Sequence, residues 1–161
     1  MKKLLTVCFL ATLVACGSPE VSEYTLQDVA VSGEFLFEGP NTLQGSPPAS
    51  ISQIASALSL EEDDISAIYV KSATITFSPD SVRSTLQSAL VQWVSEDLEL
   101  VSVATKSPLP AEGTITLEAT QEQDILPYLQ AESATVVVDV NVDHDLDALS
   151  GLVTFVLNVE Y

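Results

Sequence analysis

Near the carboxyl end, the stretch DVNVDHDLDALSG sets Asp139, Asn141, Asp143, Asp145 and Asp147 at every second position. In an extended chain this spacing puts their oxygens on one side. Gathered oxygens are what calcium takes, roughly six to eight of them at about 2.3–2.6 Å. Asp143, Asp145 and Asp147, expected at a hairpin tip, are therefore the candidate ligands of a loose calcium site. An EF-hand is excluded by its own register. Counted from Asp143, Ala148 stands where the loop needs glycine and Thr154 where it needs glutamate; counted from Asp139, these positions hold His144 and Ser150. The competing reading makes Asp139 to Asp143 the wet face of a strand, followed by an acidic turn.

Other chemistry finds little material. His144 is the single histidine. A triad needs a nucleophile held beside such a base, and the chain has no G-x-S-x-G elbow. Zinc takes several histidine or cysteine ligands, and no glycine-rich phosphate loop is present. Carboxylate pairs could hydrolyse glycosides, but ten aromatic residues do not suggest a sugar-binding groove. Trp93 and Tyr128 could stack on a sugar, although a lone tryptophan in an all-β domain belongs more often to the core. The expectation is a protein that is not an enzyme and has no resident cofactor, calcium being the one candidate.

A second kind of chemistry lies at the amino end. Met1-Lys2-Lys3 is basic, Leu4 to Val14 is apolar apart from Thr6 and Thr12, and Ala15, Cys16, Gly17 and Ser18 are small. That is the layout of a secretory signal, and its apolar run falls short of the roughly 20 residues that span a bilayer. Leu13-Val14-Ala15-Cys16 resembles the lipobox of bacterial lipoproteins. The resemblance implies that residues 1–15 are removed and that Cys16 becomes the lipidated first residue, the chain's link to the membrane. Two or more acyl chains hold firmly where one holds marginally. It also implies an address in the bacterial cell envelope, at the outer membrane, because Gly17 stands where inner-membrane retention uses aspartate. Cys8 would leave with the signal, so the mature chain would have no disulfide.

Loss of residues 1–15 would also remove Lys2 and Lys3. Three basic side chains (Lys71, Arg83, Lys106) would then face all 23 acidic ones, against a net charge of −18 for the whole chain. Such a surface repels phosphates and anionic headgroups, which excludes nucleic acid as a partner.

The elements that must position these residues are mostly strands. Residues 16–27 read as a lipidated tether and 28–161 as one domain. Val29, Val31, Gly33, Phe35 and Phe37 alternate as one apolar face, ended by the turn residues Gly39-Pro40-Asn41. Ile51, Ile54, Ala55 and Leu58 have helical spacing, which predicts a short helix over 50–59. Further strands are expected over 68–77, with Tyr69, Ala73, Ile75 and Phe77 on one face, and over 114–120. Residues 86–94 and 98–105 are read as a hairpin rather than a helix because of their valines. DILPYLQ (124–130) reads as a single helical turn or bend. Val136 to Val142 and Leu152 to Tyr161 alternate well and flank the loop HDLDALSG. Seven strands and one short helix predict an antiparallel β-sandwich, immunoglobulin-like or jelly-roll-like. The function expected is that of a lipid-anchored envelope protein that binds or scaffolds an envelope protein or glycan. The alternatives are a carrier of an apolar ligand in a sandwich cavity and a calcium-dependent adhesion module.

Overall fold

The computed structural model describes residues 18–161 apart from 48, 112, 113 and 121. Eight strands form its wall: β1 (Val21–Leu36), β2 (Gly39–Gly45), β3 (Ala67–Ser78), β4 (Leu86–Ser95), β5 (Leu98–Lys106), β6 (Ile115–Ala119), β7 (Thr135–Val142) and β8 (Leu146–Glu160). Every neighbouring pair is antiparallel. The order β1-β2-β7-β4-β5-β6-β3-β8 returns to β1, so the sheet closes on itself. The fold is a barrel, not the sandwich that the alternation predicts.

The discrepancy has one main source, β2. Its sequence GPNTLQG is all turn chemistry and polar side chains, and only Leu43 is buried. Yet it pairs along its whole length with β7, from Gly39 opposite Val142 to Gly45 opposite Val136. On its other side it meets β1 at one registered pair, Ser32 with Gln44. That contact closes the wall. The approach is so close that a Cβ on Gly45 would stand 1.8 Å from the Ala30 carbonyl oxygen, which only glycine allows.

Three further departures follow from local geometry. Asp28 and Phe35 have φ of 56° and 54°, and each resets the in–out alternation of β1. Leu26, Val29, Val31 and Leu36 are therefore buried, while Phe35 and Phe37, expected inside, are 73 % and 68 % exposed. In β3 a bulge between Val70 and Ser72 puts Ile68 and Val70 inside rather than Tyr69. The expected loop before Leu152 shrinks to residues 143–145, since β8 begins at Leu146 and pairs there with Leu36. Residues 21–27, assigned above to the tether, are strand and pair with β8.

The lumen is filled by side chains. Trp93, Phe77, Phe155, Leu26 and Leu43 are all less than 2 % exposed or nearly so, and Trp93 and Phe155 meet at a ring-centroid distance of 5.8 Å. Connections that cross the barrel close both ends. At the near end, where Val21 and Ala67 both pair with Glu160, α1 (Ile51–Leu58) packs on α2 (Leu126–Gln130). α1 forms for the expected reasons: Ile51, Ile54 and Ala55 turn inward, the Ser50 N–H donates to Gln53 Oε1 at 3.1 Å, and Ser59 ends the helix at φ 60°. At the far end a 3-10 turn, Asp80–Thr85, runs from β3 across to β4 with Arg83 and Thr85 buried. No helix among the described residues is long and apolar enough to cross a membrane.

Replacing Gly45 by alanine is expected to destabilise the barrel by at least about 2 kcal/mol, because neither backbone can retreat without opening the β1–β2 contact. Urea unfolding measures this, and an unchanged midpoint would mean that closure does not depend on that approach.

Candidate functional site

The far end of the barrel is built from three turns tied to one another. The β1–β2 turn is held by Asn41, whose Oδ1 accepts from the Phe37 N–H at 3.0 Å and whose Nδ2 donates to the Phe37 and Gly39 carbonyls. The Glu38 N–H donates to Asp145 Oδ1 at 2.8 Å, which joins this turn to the β7–β8 turn. The Asp143 N–H donates to the Thr85 carbonyl at 3.0 Å, which joins that turn in its place to the 3-10 crossing.

These bonds show how the candidate calcium ligands are used. Asp143 Oδ1 lies 2.5 Å from His144 Nδ1, and both side chains are exposed. Asp145 caps the neighbouring turn. Asp147 stands on the outer face of β8, separated from the turn by Leu146. Further back, Asp139 accepts from Thr42 Oγ1 at 2.8 Å and Asn141 Nδ2 donates to Gln87 Oε1 at 3.1 Å, so the wet face of β7 is bridged to both neighbouring strands. Among the described residues no three acidic, histidine or cysteine side chains come together as ligands for a metal ion.

What the sequence did not reveal is the aromatic tip. Phe35 and Phe37 project from the same end, next to the acidic turn. Between the registered pairs Glu34–Ala148 and Leu36–Leu146 lie Phe35 and Asp147, so an exposed ring and an exposed carboxylate occupy facing positions. Below the tip, the outer face of β1, β8 and β3 carries an apolar groove of about 390 Å³ lined by Ala30, Ser32, Thr76, Gly151 and Leu152. A smaller recess of about 300 Å³, with Glu34, Pro79 and Ala148 on its walls, continues it toward the far end. The two share Ser32, Ser78 and Ser150 and form one trough leading to the tip. Its floor is open because the outward residues on three adjacent strands are small. A sequence clue existed in Ala30, Ser32, Ala148 and Ser150, which sit at outward positions where a strand usually carries bulkier polar side chains.

The remaining candidates lie elsewhere. Trp93 is in the lumen and fully buried. Tyr128 is buried in α2, beside a recess of about 420 Å³ between the two helices at the near end, and its hydroxyl donates to the Glu99 carbonyl. Burial, then the nearby Glu99 charge, raise its pKa above the ordinary tyrosine value. Lys71 pairs with Glu23, and Lys106 pairs with Glu118 at 2.8 Å. The Lys106 hydrogen bond, then its charge, lower the Glu118 pKa. Arg83 is 8 % exposed and its Nε and Nη2 have no hydrogen-bond partner. Cys16 lies outside the described residues.

No family model and no curated protein matches this chain. Among solved structures, a chain of turnip yellow mosaic virus is similar at 11 % identity over 89 % of this chain and 95 % of that one, with a TM-score of 0.25. A likeness that low carries no argument about fold or activity.

Two outcomes follow for this end of the molecule. Millimolar calcium should leave the melting temperature unchanged in differential scanning calorimetry, since Asp143 and Asp145 have separate partners and Asp147 does not converge with them; a rise of several degrees would show that they reorganise into a site. Arg83→Met should stabilise the protein by about 1–2 kcal/mol in chemical unfolding, because it replaces an unpaired buried charge by an apolar side chain of similar length. A loss of stability would reveal a partner for the guanidinium.

Proposed function

We propose that this chain is a lipid-anchored protein of the bacterial cell envelope, a non-catalytic module that binds another envelope component. Acyl chains on Cys16 would hold it to the outer membrane, as the lipobox resemblance implies. The observation that carries the reading is the polarity of the molecule along β1. Val21 lies five residue steps beyond Cys16, a reach of about 17 Å, so the near end would sit close to the bilayer. β1 then runs through 16 residues, roughly 50 Å of strand path, and delivers Phe35 and Phe37 to the opposite end. The exposed aromatics thus face away from the anchor.

The distribution of burial supports a binding role over a carrier role. A carrier asks for an open apolar lumen, whereas Trp93, Phe77 and Phe155 occupy that space. The recesses are on the outside. A calcium-dependent adhesion module asks for converging carboxylates, whereas Asp145 accepts from the Glu38 N–H of the neighbouring turn and Asp143 lies against His144.

The test is Cys16→Ser in the native host. The expected result is a shift of the protein from the membrane to the soluble fraction, with loss of the mass added by glyceride and acyl groups. An unmodified thiol on the native product, or unchanged fractionation, would remove the anchor from this reading.

A further inference from the structure

We propose that the trough and its aromatic tip hold an extended, lysine- or arginine-rich segment of a partner protein. This rests on the reading of the chain as a binding module and names the chemistry of what it binds.

The three strands that floor the trough, β1, β8 and β3, are paired with one another there, so the trough itself offers no strand edge for a partner to extend. Recognition must come from side chains on the outer face. There the trough supplies an apolar floor and Leu152, which is 46 % exposed, and its far recess is walled by Glu34 and Ala148, the chain neighbours of Phe35 and Asp147. Exposed rings flanked by carboxylates attract cations twice over, through the ring face and through the charges.

The charge balance selects among occupants. A second copy would bring the same excess of acid, and an anionic lipid surface or a nucleic acid would be repelled. The cations among the described residues are not competitors: Lys71 and Lys106 are paired with Glu23 and Glu118, and Arg83 is buried. The carboxylates beside the trough have no basic partner among the described residues. Phe35 holds its outward position at a φ of 54°, a conformation that a bulky side chain rarely adopts.

The test uses the full lipidated chain in a neutral detergent and two labelled peptides, one alternating lysine with valine and one alternating glutamate with valine. Fluorescence anisotropy is expected to show binding of the lysine peptide, weakening with salt, and none of the glutamate peptide. The double variant Phe35→Ser, Phe37→Ser should weaken binding about tenfold. Glu34→Gln with Asp147→Asn should weaken it about three- to tenfold and flatten its salt dependence. Glu118→Gln, on β6, should leave it unchanged. All four aromatic and acidic positions are exposed, and thermal melts verify that each variant folds. Failure of the lysine peptide to bind, equal binding of the glutamate peptide, or indifference to the Phe35 and Phe37 changes would overturn the proposal. None of these outcomes depends on where the protein resides, so they are distinguishable from failure of the Cys16 experiment.

Discussion

The barrel depends on one close passage of two backbones. β2 is bonded fully to β7, but it reaches β1 only where Gln44 meets Ser32 and Gly45 slides past the Ala30 carbonyl. Without that passage β1 and β2 would each present a free edge, with unpaired N–H and C=O groups ready to pair with another chain. Closure brings those edges together at that one point, and a closed wall of this kind requires the strands to tilt and stagger. The staggering is visible in β8, which pairs with β1 from Leu146 and with β3 only from Ser150 onward. The second narrow join lies between β5 and β6, where two registered pairs complete the wall. Length compensates for both, since β1 and β8 are the longest strands and are paired along nearly their whole extent.

Once the wall is closed, the interior is committed to stability. The described residues contain no cysteine, so burial rather than a disulfide holds the barrel together. Val136, Val138, Val140 and Val142 on β7 and Val153, Phe155, Leu157 and Val159 on β8 deliver their alternating faces to it. The two helices and the 3-10 crossing then cover the mouths, so apolar side chains at the ends are not left wet. A molecule packed in this way has its outer face left for recognition. Its acidity acts on that face too, repelling anions and attracting cations that approach it.

Much of this was legible in the residues. β7 from Val138 and β8 from Leu149 follow period two, the valines of 86–105 correctly favour a hairpin over a helix, and Ile51, Ile54 and Ala55 mark α1. What was hidden is what long-range pairing imposes. GPNTLQG has no apolar alternation to betray a strand, because β2 takes its place from the hydrogen bonds of β7 and buries only Leu43. Missing that strand turned a barrel into a sandwich. The run Val29 to Phe37 misled in the opposite way: its alternation looks perfect, and a single left-handed residue at Phe35 breaks it. The acidic stretch was legible as a wet strand face and a turn, and the spacing could not say that β8 would start as early as Leu146. Sequence spacing located the acids; pairing decided what they bond.

The conformation of Phe35 is the clearest place where folding alone gives an incomplete account. A left-handed backbone at a bulky residue costs about 1–2 kcal/mol. The return on that cost is the burial of Leu36, about 1.5–3 kcal/mol for a full side chain. Yet the same reset turns two phenylalanines into water, and burying either would be worth at least as much as burying Leu36. Gly33 sharpens the comparison, since a Cβ there would approach Leu43 to 2.8 Å, so the lumen beside this part of β1 is already taken by β2. The arrangement is therefore a compromise: Leu36 and Leu43 fill the space that remains, and the rings are carried outward at the end of the barrel opposite Val21. A surface that keeps two exposed aromatics beside unpaired carboxylates is not optimised for solubility, and contact with another molecule is the physical circumstance in which those rings would leave water.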